Sequence, residues 1–213
     1  MVHANEPATG RQPTVLLIMG STRASRICPK ITEWVAAIGR SCNDFVYEVI
    51  DLADWPLPMD DEPGIPAMGG YVQPHTRAWS DKVASADAVI FVTPQYNWGY
   101  PAPLKNALDH LYKEWRGKPA AIISYGGHGG GKCAEQLRQV MGALKMALVP
   151  TAPGIVLSED VIRRGASFQP DVDFATHRES IQQAFKELAA QMRVDAEKLA
   201  SEHGRHLAGL SVG

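Results

Sequence analysis

Three short stretches hold side chains whose types and spacing suit chemistry. The first is Thr93-Pro94-Gln95-Tyr96-Asn97-Trp98-Gly99-Tyr100, which sets amides and aromatics side by side. A plain connection in a core does not need that mixture. A loop lying flat against a planar heteroaromatic ring does, because amides and backbone bond a ring edge while aromatics cover its faces. The second stretch, Gly20 to Cys28, offers Ser21, Thr22, Arg23 and Ser25 just ahead of a helix start. Hydroxyls, backbone N–H groups, a guanidinium and the positive end of a helix suit a phosphate, although the same hydroxyls could simply cap the helix. The third, Tyr125-Gly126-Gly127-His128-Gly129-Gly130-Gly131-Lys132-Cys133, lets backbone approach a polar ring edge closely.

Two nucleotide motifs are approached and missed. The dinucleotide fingerprint Gly-x-Gly-x-x-Gly has only Gly20 in place, with Thr22 where its second glycine belongs. A single phosphomonoester held by side chains fits better. Gly126 to Lys132 follows the phosphate-loop spacing, but Cys133 replaces the hydroxyl that would hold Mg²⁺. The third strand, Ala88–Val92, also ends in no aspartate to give the second Mg²⁺ contact.

These stretches must be positioned by an alternation of strands and helices. Thr14–Met19, Phe45–Asp51, Ala88–Val92 and Lys118–Ser124 are apolar, β-branched runs that read as strands, the second nearer an edge. Ala147–Pro150 with Gly154–Leu157 reads as a fifth strand with a break. Helical spacing appears from Pro29 to about Asn43, from His75 to Ala86, through Leu104, Leu108 and Leu111, from Lys132 to Leu144, and from Asp173 to Ala200. A loop with Arg163-Arg164-Gly165 leads to the last of these. Strands alternating with helices predict an α/β fold, a doubly wound five-stranded parallel sheet in the flavodoxin-like order 2-1-3-4-5. Ligands of such sheets sit beyond the carboxyl ends of the strands where the order reverses, and all three stretches fall there. Residues 1–12 read as a flexible arm, 13–200 as the domain and 201–213 as a loosely held tail. Leu52 to Pro74, rich in Pro, Gly and acids, is too long for a plain connector and reads as a functional loop or partner contact.

Composition narrows the classes. A hydrophobic share of 45% supports a full core. A net charge of −2 argues against a nucleic-acid binder, and no apolar run approaches a membrane span. Met1 to Pro13 has no apolar signal core. Three widely spaced cysteines suggest a reducing compartment, and a cytoplasmic protein is expected. No His/Asp/Glu cluster shows metal-ligand spacing, so no metal site is expected. Trp34 and Trp79 read as core; Trp98 reads either as a wall of the ring or acceptor site or as core. Trp115 reads as an interface or strand-entry residue, His110 as a helix-surface or interface residue, and Lys132 as a surface charge.

The combination Gly20-Ser21-Thr22-Arg23, Thr93 to Pro101, Leu104-Lys105-Asn106-Ala107 and Tyr125-Gly126-Gly127 resembles the NADPH-dependent FMN reductase family. Within it the chain is most similar to the yeast-type cytosolic NAD(P)H:quinone oxidoreductases, where a run like Arg26-Ile27-Cys28-Pro29 and a His-Gly-Gly element also recur. The resemblance covers about residues 14 to 157; the Leu52–Pro74 loop and the segment after 157 match poorly. It implies a homodimer, or a dimer of dimers, with one FMN per subunit and NAD(P)H as electron donor. Carried over by position, Ser21, Arg23, Ile27 and Cys28 would hold the FMN phosphate. Pro94, Gln95, Tyr96 and Asn97 would embrace the isoalloxazine. Ser124, Tyr125, Gly126 and Gly127 would meet its pyrimidine edge and ribityl region, and the helix with Lys105, Asn106 and Asp109 would pack on the partner. Electrons would pass from NAD(P)H to a quinone or similar acceptor at one open flavin face used twice, which predicts ping-pong kinetics. His128 is a candidate for added charge or a proton, with a solvated loop histidine as the plainer reading. The alternative class is a non-enzymatic flavodoxin-type electron carrier or redox-sensing scaffold. Against it, the chain lacks that type's longer Ser/Thr-rich phosphate loop and strongly acidic faces.

Overall fold

The computed structural model describes the backbone of residues 11–210 and the side chains of 11–194. The arm read over residues 1–12 therefore lies outside the described residues except for Arg11 and Gln12. The tail read over 201–213 lies outside them too, apart from helical backbone up to Leu210.

Strands β1 (Thr14–Met19), β2 (Val46–Asp51), β3 (Ala88–Pro94) and β4 (Pro119–Gly126) form a parallel sheet in the order β2-β1-β3-β4. The fifth position is shared by two short strands, β5 (Ala147–Leu148) and β6 (Gly154–Val156). The first pairs with the start of β4 (Pro119 opposite Ala147) and the second with its end (Ser124 opposite Gly154). The expected break is real and has a cause. Pro150 and Pro153 lack the N–H that a ladder needs, which only an edge position tolerates. β2 closes the other edge, where Val46 and Val49 are exposed.

Alternation along the strands builds two cores. Val15, Leu17, Ile90 and Ile123 face α1 (Cys28–Cys42) and α7 (Arg178–Leu210), where Ile31, Val35, Ile38, Ile181 and Phe185 meet them. Leu16, Ile18, Phe91 and Ile122 face α2 (Pro74–Ala84), α3 (Ala102–Asp109) and α4 (Gly131–Ala143) through Trp79, Leu104, Leu108 and Leu137. Each helix meets the sheet with residues three and four apart, the spacing that puts them on one face.

Several sequence expectations need correction. Trp115 is not an interface residue but keeps the strand-entry place, in the turn just ahead of β4: it is fully buried, 6.1 Å from Phe91, with Nε1 donating to the Leu108 carbonyl at 3.0 Å. His110 is not on the surface but 5% exposed. Arg163 and Arg164 lie on a short helix, α5 (Glu159–Arg164), not in a loop. Its signals were present: Ser158 caps it, acids open it, arginines close it, and Gly165 ends it at φ 64°. A second short helix, α6 (Pro170–Asp173), precedes α7, which starts at Arg178 and not at 173. Among the described residues, no helix is long and apolar enough to cross a membrane.

Candidate functional site

The loops after β1, β3 and β4 meet at the carboxyl edge of the sheet, where the order reverses. β1 and β3 are pressed together there: a Cβ on Gly20 would lie 2.6 Å from Thr93 Oγ1. This admits only glycine at position 20 without a shift. The next residue, Ser21, is wholly buried, with Oγ 2.7 Å from Tyr96 Oη. Arg23 lays its guanidinium over the Tyr96 ring, 3.6 Å from the centroid. The first two loops are thus latched to each other by a hydrogen bond and a cation–π stack.

α1 opens behind the first loop with Ile27 at its N-cap and no side-chain cap. Its leading N–H groups therefore face the loop without side-chain partners. Arg26 stands beside them. It is ion-paired to Asp51 at the end of β2, and Nη1 donates to the Arg23 carbonyl at 3.1 Å. The Asp51 hydrogen bond pushes its pKa further up, so it stays charged. Its Nε is buried with no partner. Arg26 was not among the carried-over residues; the Arg-Ile-Cys-Pro run was the signal for it. Ile27 is half-buried against the core. The Cys28 thiol turns inward, 3.4 Å from the Val92 carbonyl, and burial raises its pKa. Only the backbone of Cys28 is left at the helix start.

The second loop is a two-residue hairpin. Tyr96 and Gly99 exchange N–H···O bonds of 2.9 Å each way, with Asn97 at φ 47° and Trp98 at φ 70°. Both central residues are left-handed, the I′ geometry that matches strand twist. Asparagine adopts it readily; tryptophan does so at about 1–2 kcal/mol. That strained Trp98 is 67% exposed, which removes the core reading, and Lys132 Nζ lies 5.8 Å from its ring. Pro94 is buried in β3. Gln95 donates its backbone N–H to the Tyr125 carbonyl at 2.9 Å, and its Oε1 accepts from the N–H groups of Lys132 (3.1 Å) and Cys133 (3.2 Å).

This capping by Gln95 decides the nucleotide question. A phosphate loop needs the N–H groups at the start of α4 for its phosphate, and here a side chain of the protein already occupies two of them. The free face of Gln95 is its Nε2 amide.

In the third loop, Ser124 Oγ donates to the Gly129 carbonyl at 2.7 Å, so its hydroxyl shapes the loop. Gly129 and Gly130 adopt φ 73° and 76°. Tyr125 is buried, with its phenol beside Cys28, and burial raises its pKa so that it stays protonated. Cys133 is likewise raised by burial, to about 11. Gly126 lies half-buried beside Gln95, while Gly127, His128 and Asn97 are exposed at the rim. Of the residues carried over from the resemblance, Ser21, Arg23, Gln95, Tyr96, Tyr125 and Gly126 are brought together. Cys28 and Ser124 stand behind them with their side chains turned inward.

Residues 13–158 match the family described as NADPH-dependent FMN reductase. The chain is 53% identical over 188 residues to an NAD(P)H-dependent FMN reductase of Schizosaccharomyces pombe, covering 87% of this chain and 94% of that one. It is 34% identical over 149 residues to an NADPH:quinone oxidoreductase of Arabidopsis thaliana, covering 68% and 69%. Among solved structures, it is similar to the flavoenzyme NAD(P)H:(acceptor) oxidoreductase FerB from Paracoccus denitrificans, with a TM-score of 0.64 and 20% identity over 84% of this chain and 98% of that one. At that identity the likeness speaks to the fold, whose strand order it shares.

Proposed function

This chain belongs to the NADPH-dependent FMN reductase family, and from that premise we propose that it uses bound FMN to pass electrons from NAD(P)H to quinones or similar acceptors. One observation carries the reading on this chain's own residues. At the switch point, an uncapped helix start, the Arg23 guanidinium and the buried, partnerless Nε of Arg26 converge on one loop. That donor set fits a phosphomonoester.

Arg23, Arg26 and the N–H groups at the start of α1 would hold the phosphate. Ser21 orients Tyr96 and retains acceptor capacity of its own. Gln95 Nε2, Tyr96 and the backbone around Gly126 and Gly127 would line the ring, with Trp98 at the rim where an acceptor enters. When bound, FMN would supply the two-electron chemistry itself, accepting a hydride equivalent and releasing it to the acceptor. The protein's part is to fix the ring edge with amide donors and keep one face open to solvent. The Cys28 thiol and Tyr125 phenol, raised by burial, stay protonated, while His128 stands exposed at the rim as the candidate for added charge or a proton. Donor and acceptor then use the same face in turn, a ping-pong scheme.

Free Cys28, Cys42 and Cys133 support a reducing compartment, and we place the protein in the cytoplasm. Exposed Met59, Ile65 and Met68 on the loop after β2 support a homodimer.

The test is the visible spectrum of the purified protein under anaerobic conditions. Flavin bands should bleach with NADPH and return with a benzoquinone. Bands that NADPH leaves untouched would instead mean an electron carrier, and no band after soaking with FMN would remove the flavin reading altogether.

A further inference from the structure

The long loop after β2 brings together three groups that no sequence motif links: Asp61 on the loop, His75 in the first turn of α2, and His110 at the end of α3. One carboxylate oxygen and one ring nitrogen from each histidine all lie within 4.8 Å of one another. His75 Nε2 is 3.1 Å from Asp61 Oδ1 and 2.9 Å from Oδ2. His110 is the informative member. Its Nδ1 sits 2.9 Å from the Asn106 carbonyl. A carbonyl only accepts, so Nδ1 carries the hydrogen and the neutral ring turns the lone pair of Nε2 toward Asp61. That Nε2 is 3.8 Å from Asp61 Oδ1, beyond hydrogen-bond reach, and is buried with no hydrogen-bond partner. A buried nitrogen facing an acceptor-only carboxylate needs something electrophilic between them.

We propose that Asp61, His75 and His110 form a binding site for a divalent first-row transition metal, Zn²⁺ in the first instance. Two imidazoles and a carboxylate are a common zinc set, and a carbonyl on the far nitrogen is the usual way a ligating histidine is oriented. In a tetrahedral site, zinc–ligand bonds of about 2.0–2.1 Å place ligand atoms about 3.3–3.4 Å apart, so the widest-set of the three groups would have to close in by up to about 1.5 Å. The fourth position opens into a cleft of about 150 Å³ lined by Asp60, Glu62 and Asp109, which makes its mouth attractive to a cation. Glu62 is itself held below the usual carboxylate range. Burial alone would raise it, but N–H donation from Val72 and Gln73 outweighs that.

The consequence is architectural. The ion would tie the loop to α2 and α3, while the other end of the same loop (Leu52, Trp55, Leu57, Met59) lines a cleft with Thr22 of the β1 loop. Asn106 borders both clefts and donates to the Leu57 carbonyl at 2.7 Å. A metal would thereby fix one wall beside the proposed flavin site without touching it.

The experiment takes untagged, full-length, FMN-loaded protein, strips it with a chelator, and titrates Zn²⁺ by calorimetry. Co²⁺ follows, read by its visible bands to the red of the flavin. One equivalent per chain is expected, with a melting temperature raised by about 5–10 °C at a hundredfold excess over Kd. His75→Gln and His110→Gln should each weaken binding at least about tenfold and remove the cobalt bands. Flavin content and metal-free melting of these variants check that they fold, and Asp61→Asn gives a third, milder lesion. Absence of saturable Zn²⁺ binding by the unaltered protein overturns the proposal. So does binding that folded histidine variants retain in full, which would point to the cysteines or to His residues elsewhere.

Discussion

At Gly130 the backbone stands at φ 76°, and a Cβ there would lie 2.8 Å from Ser124 Cβ and 3.0 Å from the Tyr125 nitrogen. Two costs coincide: a left-handed conformation worth about 1–2 kcal/mol and a steric overlap of about 1–3 kcal/mol. Gly130→Ala should therefore destabilise the protein by roughly 2–5 kcal/mol in urea unfolding, and FMN retention should fall with it, because Ser124 and Tyr125 frame the third loop. Gly131, the very next residue, has nothing within 4 Å of its would-be Cβ. Gly131→Ala is the control, expected to lie within about 0.5 kcal/mol of the parent. Equal losses in both variants would mean that the close packing at Gly130 does not hold this loop.

Two elements are each held by a single side chain. α4 is capped by Gln95 from the loop after β3, through both Lys132 and Cys133 N–H groups. Gln95→Ala should cost about 0.5–2 kcal/mol in the FMN-free protein, whereas Gln95→Glu, with a carboxylate at a helix start, should retain that stability. A Gln95→Ala protein as stable as the parent would show that water caps α4 equally well. The loop after β2 is held by Glu62, and here pH enters. A carboxyl whose folded pKa lies below its ordinary 4.5 contributes stability that is complete above that value and lost as pH falls through the lower folded one. Denaturation midpoints measured from neutral pH into the range below 4.5 should fall, and Glu62→Gln should flatten part of that slope. Parallel slopes would remove Glu62 from the account. The elements also show what was legible. β1, β3, β4 and the strand order follow from apolar runs and alternation. α5 was missed despite Ser158 and Gly165, because its six residues carry no buried face to create a period.

Across the whole molecule, legibility divided by distance along the chain. The two-sided core and the meeting of three loops could be read because each loop announces itself locally and the parallel order does the rest. The Gln95 cap, the Ser21–Tyr96 latch and the Asp61–His75–His110 cluster could not, since each joins residues that become neighbours only after folding. The same limit applies to assembly, where the informative feature is what folding leaves uncovered. Met59, Ile65, Met68 and Val72 are 68%, 70%, 84% and 52% exposed on one segment, whereas the other large apolar side chains among the described residues are mostly buried. Leaving such a strip in water forgoes about 25 cal/mol per Å², and in the proposed homodimer a second copy of the chain would cover it with the same residues in a twofold contact. Sedimentation at micromolar concentration should give twice the 23.2 kDa chain mass. Ile65→Asp with Met68→Asp should shift it to one chain, since neither side chain contributes to either core and each would bury a charge in the contact. If the unaltered protein sediments as a single chain, the strip serves something other than self-association; if the double variant remains a dimer, the contact lies elsewhere on the surface.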